Sequence, residues 1–338
     1  MSMDLDLKKA FLQQGSALYA EMIKLTTNDV VRRYLAFRII VNTMSFEDLI
    51  GNRQHPRMRE IRNVLLAHKQ ESEFFEGHRA ADEITDQAIT PLLSFMGGAV
   101  GAPDPTCVLP ELSGGMPKLK FERLAPRIFG LYEKDFLAGY RVINNFLCFT
   151  GSSVQEITKG SLAGAFYRYH SSKALYDLSE YILNNARLDS DLAWLARHAK
   201  LDMLLHAQNM ADCAIKDTRN GHSIDGLLEI MVADRIGAPA SLLALSTCPV
   251  YQALYARVRV VRNKLIGHMD KAEPLADLIS ALDALADNDP SDLVNMVDKA
   301  VFTAASSHTA IWGRYITGNQ VLNDPAIRGI VGIQTRPY

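Results

Sequence analysis

Two stretches decide how the chain reads: Arg57-Met-Arg-Glu-Ile-Arg-Asn-Val-Leu-Leu-Ala-His68 and, 200 positions later, Arg257-Val-Arg-Val-Val-Arg-Asn-Lys-Leu-Ile-Gly-His268. Arg57, Arg59, Arg62, Asn63, Leu65 and His68 recur as Arg257, Arg259, Arg262, Asn263, Leu265 and His268. Between the copies Ile61 becomes Val261, Leu66 becomes Ile266 and Ala67 becomes Gly267, which keeps size or apolarity. From average residue usage, one Arg-Asn-x4-His match arises by chance in about a few per cent of such chains, and two with shared flanks far less often. Each copy follows a proline suited to the first turn of a helix, Pro56 or Pro249.

Outward from these copies, nearly every segment carries apolar residues at three- and four-residue steps, the period of a helix buried on one face. The pattern predicts helices over roughly 5–25, 28–50 (ended by Gly51), 57–75, 80–95 across Pro91, 127–149, 161–185, 190–216, 223–235, 250–269 and 290–317. Asp289-Pro290 reads as the cap and first turn of the last of these, and the tail after Gly318 as loop. No segment alternates as a strand would. Between Gly97 and Pro126, ten glycines and prolines interrupt the pattern too often for a long helix. The expectation is an all-α protein: an N-terminal helical bundle over 1–96, an irregular Gly/Pro-rich connection over 97–126, and a C-terminal bundle with extra helices over 127–338.

At 338 residues, 48% hydrophobic and 22% charged, the chain is long enough to bury a sizeable core. Its net charge of −2 excludes a protein that holds nucleic acid over its whole surface. The local balance differs. Between Gly51 and Gln70 stand five basic side chains (Arg53, Arg57, Arg59, Arg62, Lys69) against Glu60 alone, and between Tyr255 and Lys271 another five against Asp270 alone. A small phosphate-binding cleft needs such a concentration.

Four dispersed cysteines, Cys107, Cys148, Cys213 and Cys248, read as buried thiols in a reducing compartment. The opening MSMDLDLKKAF lacks the basic start and apolar run of a secretory signal, so a cytoplasmic location is expected. His198 and His206 stand eight residues apart, not the four that place two metal ligands on one helix face, and there is no HExxH. Gly151 to Gly160 has the wrong order for a phosphate loop, and the aromatics around Phe166-Tyr167-Arg168-Tyr169-His170 read as core packing.

On an ideal helix Arg62 and His68 lie about 120° apart around the axis and about 9 Å apart along it. One helix therefore does not aim both at one atom. Two such helices facing each other do so more readily, and the duplication supplies the second.

The Arg-Asn-x4-His motifs, each followed within three residues by Lys69 or Lys271, resemble the signature of the HEPN superfamily, and in particular its abortive-infection branch. The resemblance covers Arg57 to Gln70 and Arg257 to Lys271. It implies two HEPN-like helical bundles packed as an intramolecular pseudo-dimer, with the motifs paired across the interface. It further implies metal-independent endoribonuclease activity, in phage defence or as a toxin. Such cleavage uses attack by the ribose 2′-OH on the adjacent phosphorus. Histidine suits the proton transfers and arginine the phosphorane charge. His68 and His268 are then the acid–base groups, Arg62 and Arg262 the phosphate and transition-state binders, and Asn63 and Asn263 the orienting amides. Arg57, Arg59, Lys69, Arg257, Arg259 and Lys264 are secondary RNA-binding candidates. No cofactor or metal is expected. The partner is RNA rather than a membrane, with room for an antitoxin or regulatory protein and for a homo-oligomer. The alternative is a catalytically inactive RNA- or nucleotide-binding or protein-interaction module that keeps the motifs.

Overall fold

Apolar residues at helical spacing become helices throughout the part of the chain that the structure, a computed structural model, describes: residues 2–25, 29–63, 86–99, 193–215, 226–233, 239–267, 269, 272–286 and 288–307, with individual positions between 165 and 188. Among the described residues there are ten continuous α-helices, one complete π-helical turn and no strand. The N-terminal helices are α1 (Ser2–Leu25), α2 (Asp29–Ile50), α3 (Pro56–Ile61) and α4 (Asp86–Ala99). Helical positions between 165 and 186 precede α5 (Ala193–Ala214) and α6 (Leu227–Ala233). After them come α7 (Ala240–Thr247), α8 (Pro249–Arg262), the π-turn (Asn263–Gly267), α9 (Leu275–Ala284) and α10 (Asn288–Ser306).

Local chemistry sets the ends. Gly51, at φ 74°, closes α2, and its N–H and that of Asn52 both donate to the Glu47 carbonyl at 2.9 and 3.2 Å. A side chain at that left-handed position would be strained, which is why the expected stop falls on glycine. In α10, Pro290 occupies the first turn, and Leu293, Val294, Val297, Val301 and Ala304 form the buried stripe.

Helices α1 and α2 lie along each other, with α4 against both. Among the later helices α5 is the central element. Every residue from Leu201 to Ala211 is buried, with α8 and α10 packed against it and α7 against those two. A helix buried all round must satisfy its polar groups from its neighbours. Asp202 meets Arg38 of α2 at 2.5 Å, and Lys200 donates to the Leu285 carbonyl at 2.7 Å. The His198 ring stacks on Phe11 and meets Tyr19 edge-on, both at 5.7 Å between centroids. Helices before and after the Gly/Pro-rich segment are thus joined through buried polar contacts, and one continuous apolar cluster runs from Phe11 to Ala305.

Four expectations need correction. Helix α4 continues through Gly97 and Gly98 to Ala99, so regular structure extends three residues into the segment read as irregular. Helices α7 and α9 were not expected at all; each begins after a proline held in extended conformation, Pro239 or Pro274. The helix expected over 250–269 changes character at Arg262 and becomes a π-turn over Asn263–Gly267. The helix expected over 57–75 likewise leaves α geometry after Ile61, with Arg62 and Asn63 π-helical. Residues 64–85, 100–164 and 308–338, with the expectations that fall on them, lie outside the described residues.

Candidate functional site

The first motif is launched from the end of α2. Glu47 is fully buried, and its Oε1 accepts the backbone N–H of Gln54 at 2.8 Å and of His55 at 2.9 Å, with the His55 ring Nδ1 at 2.7 Å. Its other oxygen accepts from Arg59 at 2.8 Å. Burial pushes the Glu47 carboxyl up, but the hydrogen bonds from His55, Gln54 and Arg59 outweigh it and hold the group below the usual carboxylate range. Glu47 therefore pins the Gly51–His55 turn and the first turns of α3. Asp48, one residue on, accepts from Arg59 at 2.7 Å and faces Arg62 at 3.7 Å.

Arg62 itself is only 2% exposed. Burial pushes its pKa down to about 10; Asp48 opposes this, while the like charges of Arg59, Arg262 and Arg53 add to it. At neutral pH the guanidinium stays charged. The presence of Arg262 among those charges matters most. Arg262 stands 200 positions further along the sequence, and the π-turn that follows it packs on α2, the helix of Asp48.

The second motif is held by different residues. Arg262, 3% exposed, is also lowered by burial, with Asp212 and Tyr255 opposing and Arg259 reinforcing. The Tyr255 hydroxyl donates to Asp212 at 2.6 Å, and Arg262 Nη1 donates to the amide oxygen of its neighbour Asn263 at 2.8 Å. The π-turn that follows packs against both α2 and α5, the helices that carry Asp48 and Asp212. Both Arg-Asn pairs thus stand where α geometry gives way to π geometry. Turns of this kind are rare and concentrate at functional sites. Met269, directly after His268, is fully buried at φ 32°, a strained conformation for a side chain.

The secondary candidates are engaged within the fold. Arg57 pairs with Glu60 at 2.7 Å and Arg257 with Asp289 at 2.7 Å. Lys264 pairs with Glu273, and the Arg259 guanidinium lies 5.9 Å from the Tyr255 ring centroid. The basic surplus counted along the sequence is therefore reduced in space by acids from other segments: Glu47, Asp48, Asp212, Glu273 and Asp289. Asp48 and Asp212 are the site residues that sequence reasoning missed. Neither is marked by spacing, because each reaches its arginine from another helix. His68, Lys69 and His268 lie outside the described residues.

Both remaining core histidines, His198 and His206, are buried. Among the described residues no cluster of three or more His, Cys, Asp or Glu side chains is placed to hold a metal ion, and no helix is long and apolar enough to cross a membrane. Cys213 is buried and Cys248 half-buried, both as free thiols. Compared with known proteins, the chain matches no family model, no curated protein and no solved structure.

Proposed function

We propose that the chain is a metal-independent endoribonuclease of HEPN-like type, with one composite site formed by its two Arg-Asn-x4-His motifs. The observation that supports the reading is that the π-turn following buried Arg262 packs on α2, the helix whose Asp48 faces buried Arg62, so the two arginines of the duplicated segments share one neighbourhood. Two cations brought together repel, and an anion between them relieves that repulsion. A phosphodiester crossing the site, with His68 and His268 as proton donor and acceptor, uses this arrangement to cut RNA through a 2′,3′-cyclic phosphate. The cytoplasmic setting and a role in phage defence or as a toxin belong to the same proposal.

Single-stranded RNA incubated with the full chain in EDTA is expected to yield fragments ending in cyclic phosphate. His68→Ala or His268→Ala alone is expected to lower the rate by at least about 100-fold, the scale of a lost general acid or base. Undiminished cutting by the double variant would sink the assignment.

One observation favours a second reading, a binding module without catalysis. Each arginine is buried with a carboxylate from another helix opposing the effect of burial, Asp48 for Arg62 and Asp212 for Arg262. RNA binding with no cleavage under any divalent-free condition would establish that reading.

A further inference from the structure

The two asparagines of the repeat are identical in sequence and different in bonding. We infer that they have divided their work: Asn63 contacts the ligand, and Asn263 is a positioning residue for Arg262. The inference rests on the RNA reading above and deepens it.

Asn263 is committed. An arginine only donates hydrogen bonds, so the atom 2.8 Å from Arg262 Nη1 must be the amide oxygen, and the orientation of the amide is fixed. That contact braces the guanidinium from the residue next to it, in the first turn of the π-helix. Asn63 is uncommitted. Its amide oxygen is buried and accepts no hydrogen bond, while the side chain as a whole is half-buried. A buried carbonyl oxygen without a donor is costly, and native structures keep few of them. The side chain's terminal torsion is broad and the residue is only half-buried, so the amide has freedom to turn towards an incoming donor. Arg62, its neighbour, is meanwhile directed to Asp48 of α2. The first half-site thus holds its arginine with a carboxylate and leaves the amide for a ligand, and the second uses its amide internally.

The donor an RNA offers to such an oxygen is a ribose 2′-hydroxyl or a nucleobase N–H. Either gives Asn63 a part in choosing the substrate that Asn263 does not have.

The test measures binding of a fluorescein-labelled single-stranded RNA ten-mer by anisotropy in EDTA, using the full chain with His68→Ala and His268→Ala to prevent cutting. Asn63→Ala is expected to weaken binding roughly three- to tenfold, the scale of one neutral hydrogen bond, with the thermal midpoint unchanged or raised because an unsatisfied oxygen has been removed. Asn263→Ala is expected to lower the midpoint, and Asn263→Asp, which keeps an acceptor for Arg262, to restore it. Asn63→Asp carries no such rescue of stability, since no internal donor awaits it. Repeating the titrations with DNA of the same sequence identifies the donor: a penalty that vanishes on DNA assigns the 2′-hydroxyl, and one that persists assigns a base. Equal losses of affinity from Asn63→Ala and Asn263→Ala, with equal effects on the midpoint, overturn the division while leaving RNA binding intact. Failure of the parent to bind RNA overturns both this inference and the reading beneath it.

Discussion

Asp48 shows how a single carboxylate can decide the state of a motif it does not belong to. Its oxygens face Arg59 at 2.7 Å and Arg62 at 3.7 Å, and the first of these arginines also holds Glu47. Removing the acid leaves buried Arg62 and half-buried Arg59 with one less counter-charge. Breaking a buried pair from one side costs on the order of 3 kcal/mol, because the remaining charge stays desolvated. Asp48→Ala is therefore expected to shift urea unfolding by about that amount. Arg53→Ala, whose side chain is 74% exposed, is expected to cost under about 0.5 kcal/mol although it touches the same carboxylate. Equal shifts in the two variants would show that Asp48 carries no special burden. Arg62 and Arg262 were legible in the sequence as a pair, since identity and spacing mark them. Their acids were not: Asp48 stands 14 positions before Arg62 and Asp212 stands 50 before Arg262. Only the packing of other helices brings them in.

At the scale of elements, hydrophobic period located α1, α2, α5, α8 and α10 because each buries a stripe along much of its length. It failed on α7 and α9, eight and ten residues long, where a short apolar run gives little periodicity to count. It failed also on the π-turns, because one extra residue per turn leaves no mark on the composition. Close approach between elements is equally invisible in a sequence. A Cβ on Gly15 of α1 would stand 3.2 Å from Asn42 of α2 and 3.3 Å from the His198 ring of α5. Both neighbours are buried and have little room to withdraw. Alanine favours a helix over glycine by about 1 kcal/mol, whereas overpacking costs about 1–3 kcal/mol. The second effect wins, so Gly15→Ala is expected to lower the thermal midpoint; a raised midpoint would mean that the three helices part easily.

Across the whole molecule, His198 couples stability to pH. Burial, with Arg38 and Arg197 adding like charge, pushes its pKa down to about 3 from an ordinary 6.5, so the folded protein keeps the ring neutral. The unfolded chain takes up a proton below pH 6.5 that the folded chain refuses, and stability falls progressively from there towards pH 3. Between about pH 6.5 and 5 the carboxylates of Asp4 and Glu47, held below their ordinary values of 3.8 and 4.5, do not yet contribute. Denaturation midpoints are expected to decline over that window, and His198→Gln is expected to flatten the decline. A slope unchanged by the substitution would assign the effect to other groups.

The ion pair of Lys264 with Glu273 has no counterpart in the first motif, where Val64 occupies the equivalent position. Two identical chains that met to form a site would inherit every mutation twice, once in each half. In this chain the two motif copies are separate stretches of one sequence, so a change in one copy leaves the other untouched. Selection can then give the halves different charges, different neighbours and, in time, different duties within a single molecule.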